Sequence, residues 1–260
     1  MIDRWHAAQM LLRHWLLQES EHSIHSPYLY RLYVEVCRPV NLPVILHGSS
    51  EAARRLMERD TTPVAGMDIG TPPSTPLKRR TIARIAKHES SSSGMGELLA
   101  RLAKFHRAKR ILELGTSLGL GTLALSDDTD AEVITLEAHP TLAARARILF
   151  ASLNRHHIRL IEGDIDENLP GLLHGGYRPD LVFIDANHKY GPTLRYIASI
   201  LAASGPEEVI LVVDDINYSK GMTHAWRKAL SDHPAACGIN LGRAGIILTH
   251  SGLAPGEVCW

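Results

Sequence analysis

From Arg110 onward, short apolar runs alternate with longer stretches of helical periodicity, and this alternation constrains the fold more than any other feature. The runs are almost wholly apolar, which is typical of strands covered on both faces of a parallel sheet. The stretches between them have the length that a crossover helix needs. The predicted strands are 111–114, 133–136, 158–161, 181–184 and 209–213, and the predicted helices are 120–126, 142–153, 193–203 and 222–231.

The chain closes with two apolar segments, 239–241 and 245–249, which lie too close together for a crossover helix between them. Segments joined by such a short connection pair as antiparallel strands. We therefore predict an α/β fold with a seven-stranded, mostly parallel sheet and an antiparallel last strand.

The first 90 residues have a different pattern, in which helical segments alternate with irregular ones. Ser26 and Pro27 are typical of a helix start, and glycine, proline, serine and threonine crowd residues 66–76, which predicts a linker. We predict a helical amino-terminal cap over 1–90 and a main domain over 91–260. An apolar stripe on the first helix is expected to pack on that domain. The stripe consists of Trp5, Ala8, Leu11, Leu12, Trp15 and Leu16.

Composition excludes several classes of function. The 28 basic and 28 acidic side chains cancel, so the chain lacks the excess positive charge typical of nucleic-acid binders. It contains no apolar run of the roughly 18 residues that span a bilayer. The three cysteines, Cys37, Cys237 and Cys259, are widely spaced and are expected to be free thiols in a reducing compartment. These features predict a cytoplasmic protein that contacts neither nucleic acid nor membrane.

A glycine-rich turn follows the first predicted strand, in the order Glu113, Leu114, Gly115, Thr116, Ser117, Leu118, Gly119. Glycines between a strand and a helix let the backbone approach a ligand closely. The spacing is not that of the dinucleotide-binding GxGxxG turn. Glu137 ends the next strand about twenty residues later, where a carboxylate can accept hydrogen bonds from a ribose.

Taken in order, these pieces resemble the first motifs of the class I S-adenosylmethionine-dependent methyltransferases, over about residues 94–250. Glu113, Gly115 and Gly119 match the family's acidic, glycine-rich motif, and Ser117 stands where the motif has its middle glycine. The resemblance implies the Rossmann-like fold of that class. It also implies that the turn faces the methionine moiety, that Glu137 holds the ribose, and that residues 164 and 165 lie at the adenine. In the catechol O-methyltransferase branch, a further glycine lies at the amino-acid end of the cofactor. The residues implied to bind S-adenosylmethionine are Gly96, Glu113, Gly115, Thr116, Ser117, Gly119, Glu137, Asp164, Ile165 and Asp185.

Three carboxylates follow the fourth and fifth predicted strands. Asp185 comes directly after one strand, and Asp214 and Asp215 come directly after the other. Ligands of open α/β sheets bind at this edge, and clustered carboxylates repel one another unless a cation balances them. Mg²⁺ prefers such oxygen ligands. Each aspartate alone could instead be a turn residue at the end of a strand.

The resemblance to catechol O-methyltransferases sharpens this hypothesis. Those enzymes bind a divalent metal through an Asp after strand four and an Asp-Asn pair after strand five. Here Asp185, Asp214 and Asp215 occupy these positions, with Asp215 in place of the Asn. His188 stands at the position of the family's basic Lys, as in the similar macrolide-sugar O-methyltransferases, in which a His is the proposed base. Lys189 is one residue out of register and is the second choice for the base.

Two longer motifs resemble a group of uncharacterised bacterial methyltransferases. One is the His-Ser-Pro-Tyr run at 25–28, and the other is the segment 214–226 with its two aspartates and closing Ala-Trp pair. The match covers nearly the whole chain but implies no known acceptor. The amino-terminal segment is expected either to cap the active site or to build a homodimer interface.

The sequence thus predicts an S-adenosylmethionine-dependent methyltransferase that acts on a small-molecule hydroxyl, assisted by a divalent metal, with His188 as general base and Asp185 beside it. A metal-independent O- or N-methyltransferase is the first alternative. A nicotinamide-dependent oxidoreductase and a non-catalytic cofactor-binding module are alternatives of other classes.

Overall fold

The structure is a computed structural model, and it describes residues 4–38, 48–64, 80–127, 129–205, 207–250 and 252–260. The linker predicted over 66–76 therefore lies outside the described residues. The chain forms two compact units. We call the one within 40–168 the glycine-turn unit, and the one drawn from 1–39 and 169–260 the carboxylate unit.

The helices and strands alternate along the second half of the chain, as the sequence predicts. In chain order the α-helices are α1 (Arg4–Leu17), α2 (Pro27–Leu32), α3 (Gly48–Met57), α4 (Ile82–His88), α5 (Ser93–His106), α6 (Leu120–Ser126), α7 (Pro140–Ser152), α8 (Ile165–His174), α9 (Tyr190–Ser204) and α10 (Lys220–Asp232). The strands are β1 (Arg110–Leu114), β2 (Glu132–Glu137), β3 (Ile158–Glu162), β4 (Leu181–Ile184), β5 (Ile210–Val213), β6 (Cys237–Asn240), β7 (Gly245–Leu248) and β8 (Gly256–Cys259).

The glycine-turn unit is built on three parallel strands in the order β3-β2-β1. Its core includes Ile82 and Ile85 of α4, Leu123 of α6 and Phe150 of α7. Helices from both sides of residue 90 therefore share one apolar core, which supports the helix that follows the glycine turn. The division at residue 90 stays a prediction.

The carboxylate unit holds the remaining strands in the order β4-β5-β7-β6-β8. Strands β4 and β5 are parallel, whereas β7 runs antiparallel to both β5 and β6. Close packing fixes β7, because a Cβ atom at Gly245 would come within 2.5 Å of the Trp226 ring of α10. The predicted antiparallel strand is confirmed, and it starts at the residue that this packing requires to be glycine.

The fold is mixed α/β and Rossmann-like, as predicted, but the described residues contain eight strands and not seven. The additional strand, β8, pairs parallel with β6. Its sequence is Gly-Glu-Val-Cys, and it is exposed over its first half. Such a strand lacks the apolar run that identifies buried strands, so the sequence pattern missed it.

The amino-terminal helices differ in how well the sequence predicted them. Ser26 caps α2 by accepting a hydrogen bond from the Leu29 N–H, and Pro27 opens the helix, as expected. The expected packing of the α1 stripe is wrong for Leu12, Trp15 and Leu16, whose exposed fractions are 58%, 69% and 66%. Among the described residues, no helix combines the length and the apolar character needed to cross a membrane.

Candidate active site

The glycine turn after β1 has an unusual backbone. Gly115, Ser117 and Gly119 have φ angles of 102°, 50° and 83°, all in the left-handed region that glycine adopts without steric cost. A Cβ atom at Gly119 would also lie 2.8 Å from the Phe150 ring. Ser117 is the exception, since a serine with this φ is strained, and such strain is concentrated at functional sites.

Glu137, at the end of β2, is hydrogen-bonded to this turn. One carboxylate oxygen accepts the Ser117 N–H at 2.7 Å, and the other accepts the His139 N–H at 2.8 Å. The side chain is only 9% exposed. A carboxylate oxygen can accept more than one hydrogen bond, so this arrangement leaves Glu137 capable of binding ribose hydroxyls.

The acidic residue that opens the motif has a different environment. Glu113 is 1% exposed, and its Oε2 accepts hydrogen bonds from the hydroxyls of Thr122 and, at 2.6 Å, of Thr135. The Thr116 hydroxyl lies 2.5 Å from that of Thr135. Glu113 therefore ties β1 to β2 and α6, and Thr116 joins the same network.

Three further residues that are predicted to bind the cofactor, Asp164, Ile165 and Gly96, lie at the start of α8 or within α5. The Asp164 carboxylate accepts the Asp166 N–H at 2.9 Å and so begins α8, where Ile165 is 5% exposed. Gly96 lies in α5, and a Cβ atom there would be 3.4 Å from the Cβ of Ala124 in α6. Their roles at a cofactor stay predictions.

His139 is a residue of this unit that sequence reasoning missed. It is 3% exposed, and among the described residues neither of its ring nitrogens has a hydrogen-bond partner. A buried polar atom without a partner is uncommon, and a bound ligand is one source of that partner. The signal was available, because His139 lies two residues after Glu137.

In the carboxylate unit, the predicted catalytic residues converge. His188 Nε2 lies 3.2 Å from Asp185 Oδ1 and 3.9 Å from Asp215 Oδ2. Asn187, His188 and Asp215 have φ angles of 62°, 29° and 54°, so both loops that carry these residues hold non-glycine residues in the left-handed region. The Tyr218 ring lies 5.9 Å from the imidazole and provides an aromatic surface beside it.

A cation of this cluster is Arg243, which lies in the short connection between β6 and β7 and was not among the predicted site residues. Its Nε and Nη2 atoms lie 3.0 Å and 2.8 Å from the two carboxylate oxygens of Asp214, a bidentate pair. Its Nε also lies 3.1 Å from Asp215 Oδ1. A signal was present, because three clustered aspartates require a positive partner and Arg243 precedes the strand that pairs with β5.

Burial and charge shift the pKa values of this cluster. Burial, followed by the charges of Asp185 and Asp215, raises the pKa of Asp214 to about 7, against the opposing effect of Arg243. Burial lowers the pKa of His188, but contact with Asp185 and the charges of Asp215 and Asp214 outweigh it and raise the pKa above 6.5. Burial also lowers the pKa of Arg243, but the contact with Asp214 and the charges of the carboxylates outweigh it and raise that pKa, so Arg243 stays charged.

These contacts do not fit the divalent cation that the resemblance implies. Asp214 Oδ1 accepts both the Arg243 Nε–H and the Asp215 N–H, and Oδ2 accepts the Arg243 Nη2–H, so a hard cation at about 2.0–2.6 Å would have to compete with a positively charged group already in place. Within the described part of the chain, no three His, Cys, Asp or Glu side chains are arranged to hold a metal ion. Asp214 and Asp215 instead contact a guanidinium, and Asp185 contacts His188.

The glycine-turn unit, in contrast, fits S-adenosylmethionine. The left-handed turn lets the backbone approach a ligand closely, and Glu137 can accept hydrogen bonds from a ribose. The buried ring nitrogens of His139 lack a partner among the described residues, and a bound ligand would supply one. These residues would hold the methionine and ribose moieties.

Comparison with known proteins agrees with this geometry. Residues 112–216 match a family described as a methyltransferase domain, and this range contains every predicted site residue except Gly96. This part of the chain is therefore similar to methyltransferase domains, and the fold around it is the Rossmann-like α/β fold described above.

The similar proteins carry names of the same kind. A catechol O-methyltransferase of Mycobacterium tuberculosis is 34% identical over 131 residues, which cover 48% of this chain and 56% of that protein. A catechol O-methyltransferase of Niastella koreensis is 36% identical over 132 residues, covering 49% of this chain and 58% of that protein. The chain thus spans a little over half the length of these curated relatives.

Solved structures extend the comparison to the fold. The SAH-bound methyltransferase of Podospora anserina is 26% identical in sequence and superimposes with a TM-score of 0.53. The superposition covers 62% of this chain and 80% of that one.

Proposed function

We propose that the protein transfers a methyl group from S-adenosylmethionine to a hydroxyl oxygen of a small molecule. The observation that carries this proposal is the family match over 112–216, because one methyltransferase domain contains both the glycine turn and the Asp185–His188 pair. The names of the relatives, which are O-methyltransferases, favour oxygen as the acceptor atom.

The glycine-turn unit binds the methyl donor in this proposal. The glycine turn receives the methionine moiety, and Glu137 accepts hydrogen bonds from the ribose hydroxyls. The donor supplies an electrophilic methyl group on a positively charged sulfur. Binding it in a single orientation is the main contribution of this unit, since positioning is a large part of the acceleration in two-substrate reactions.

His188 is the proposed general base. Its neutral imidazole removes the proton of the acceptor hydroxyl, and the oxygen lone pair forms a bond to the methyl carbon while the carbon–sulfur bond breaks. The bond electrons go to sulfur and leave a neutral thioether. In this proposal Asp185 orients the imidazole and stabilises its protonated form, and the 3.2 Å distance between Asp185 Oδ1 and His188 Nε2 supports that role.

The environment of His188 favours an aromatic acceptor. Tyr218 lies beside the imidazole, and the ring faces of aromatic side chains stack on the rings of aromatic ligands. Catechol, which the relatives' names specify, is therefore the first acceptor to test. No step of the proposal passes through a metal ion.

The proposal is tested with His188→Gln and a matched control, His224→Gln, which replaces an exposed histidine of α10. Transfer to catechol is followed as S-adenosylhomocysteine release from pH 5.5 to pH 9, and cofactor binding is measured by calorimetry. Losing a general base is expected to reduce transfer by about 10²–10⁴-fold, with cofactor affinity unchanged.

The pH profile gives a second criterion. Because the pKa of His188 is raised, the wild-type rate should increase with pH and level off only above pH 6.5. The His188→Gln variant should lack this step, and the His224→Gln variant should keep it. Equal activity in both variants would refute the role of His188, and absence of S-adenosylmethionine binding to the wild type would refute the function itself.

A further inference from the structure

We infer that Arg243 is the resident cation of the carboxylate cluster and takes the place that a divalent metal has in the similar metal-dependent enzymes. The importance of Arg243 for methyl transfer rests on the proposed function. The presence of Arg243 among the carboxylates does not depend on that proposal. The cluster is the set formed by Asp185, Asp214, Asp215 and Arg243.

The contacts of the guanidinium carry the inference. Arg243 engages both oxygens of Asp214, which is fully buried, and one oxygen of Asp215. An ionised carboxylate buried without a partner would be strongly unfavourable, so the guanidinium stabilises the ionised form of Asp214. A metal ion at the same oxygens would be repelled by the positive charge of the guanidinium beside it.

The backbone of the turn holds Arg243 in place. The Ile216 N–H donates to the Arg243 carbonyl at 2.9 Å, which connects the turn to the segment that carries Asp214 and Asp215. The Asn217 amide donates to the Gly242 carbonyl at 2.6 Å. The backbone of the Arg243 turn is therefore hydrogen-bonded to Ile216 and Asn217, the two residues that follow Asp214 and Asp215. These bonds limit how far the guanidinium can move away from the carboxylates.

Helix α1 extends this support. His6 Nε2 lies 2.8 Å from the Thr223 hydroxyl, which lies 3.2 Å from Asn217 Oδ1. This chain of contacts joins the first helix to the Arg243 turn through Asn217. The amino-terminal segment therefore helps to position the cation.

If the pair of Arg243 and Asp214 only stabilised the fold, replacing Arg243 would not change the affinity for a metal ion. Metal binding by Arg243 variants therefore distinguishes the inference from a purely structural role. Mn²⁺ alone is titrated into the full chain, without acceptor, and the free ion is counted by its paramagnetic resonance signal. The proteins are the wild type, Arg243→Met, Arg243→Lys and Arg227→Met. The last is the matched control, because Arg227 is an exposed arginine of α10 in the same unit.

The wild type, the Arg243→Lys variant and the Arg227→Met variant are expected not to bind Mn²⁺ at millimolar concentration. The Arg243→Met variant removes the charge but keeps much of the side-chain volume, and it should bind Mn²⁺ at least about 100-fold more tightly. That ratio corresponds to about 2.8 kcal/mol at 1.4 kcal/mol per tenfold change. Adding Asp185→Asn to Arg243→Met should abolish the gain.

Three results would overturn the inference: Mn²⁺ binding by the wild type that is weakened by Asp185→Asn, no gain of binding in a folded Arg243→Met variant, or equal binding by the Lys and Met variants. Circular dichroism establishes whether each variant is folded. If Arg243→Met does not fold, the wild-type and Arg243→Lys titrations decide. S-adenosylmethionine binding, measured in parallel, reports on the proposed function independently.

Discussion

Replacing Asp214 by asparagine is expected to remove a pH-dependent cost of folding. Asp214 is fully buried, and its pKa is raised from 3.8 to about 7 in the folded protein. Between these two values, the folded state keeps a proton that the unfolded state has released. The free energy of unfolding of the wild type therefore falls as pH rises through this interval.

The magnitude follows from the same two values. One pH unit corresponds to about 1.36 kcal/mol, so the interval from pH 4 to pH 7 amounts to about 4 kcal/mol. An experiment from pH 5 to pH 8 includes only the part of this interval between pH 5 and pH 7. Over these two pH units the free energy of unfolding changes by about 3 kcal/mol. The raised pKa of His188, which depends partly on Asp214, acts in the same direction.

The assay is urea unfolding of the wild type and of Asp214→Asn at pH 5, 6, 7 and 8, with tryptophan fluorescence and the m-value recorded at each pH. The stability of the variant relative to the wild type should increase by about 3 kcal/mol from pH 5 to pH 8. Asp232→Asn is the control, because Asp232 is an exposed partner of Lys228. Its difference from the wild type should not depend on pH.

The reasoning would be refuted by a constant difference between Asp214→Asn and the wild type across this pH range. Such a result would mean that Asp214 is already ionised at pH 5 in the folded state. Arg243 would then compensate its burial fully, contrary to the raised pKa. A uniform loss of stability at all pH values would indicate only the loss of the Arg243 contact.

Three further predictions concern the glycine turn. Gly119→Ala should destabilise the fold by about 1–3 kcal/mol in thermal unfolding and weaken S-adenosylmethionine binding, whereas Gly94→Ala, with nothing within 4 Å of the added Cβ, should do neither. Glu137→Gln should weaken S-adenosylmethionine binding about tenfold or more in calorimetry, since hydrogen bonds to a charged group contribute about 1.5–3 kcal/mol, and the exposed Glu162→Gln should leave it unchanged. Ser117→Gly should retain S-adenosylmethionine binding and raise the free energy of unfolding by about 1 kcal/mol, because glycine adopts the left-handed backbone of this position without strain. A loss of stability in this variant would contradict that account.

The local structure of the second half of the chain was predictable because burial leaves a periodic pattern. The strands β4 and β5 are apolar at every position, and the sequence predicted both within one residue of their ends. Gly115 and Gly119 were identifiable for a related reason, since only glycine adopts their backbone conformation without strain. The gathering of Asp185, Asp214 and Asp215 followed from parallel strands that end at one edge.

The sequence by itself therefore determined the order of the elements, the glycine turn and the acidic edge, because each is encoded by residues close together along the chain. Only the tertiary structure decided which cation serves the acidic edge. Strand β7 pairs antiparallel with β5, with Gly245 opposite Val213, and this register brings Arg243 to Asp214 from 29 positions away. Strand β8 and the exposure of Leu12, Trp15 and Leu16 in α1 depend on the tertiary structure in the same way, since edge pairing and the surface available for packing leave no local periodic signal.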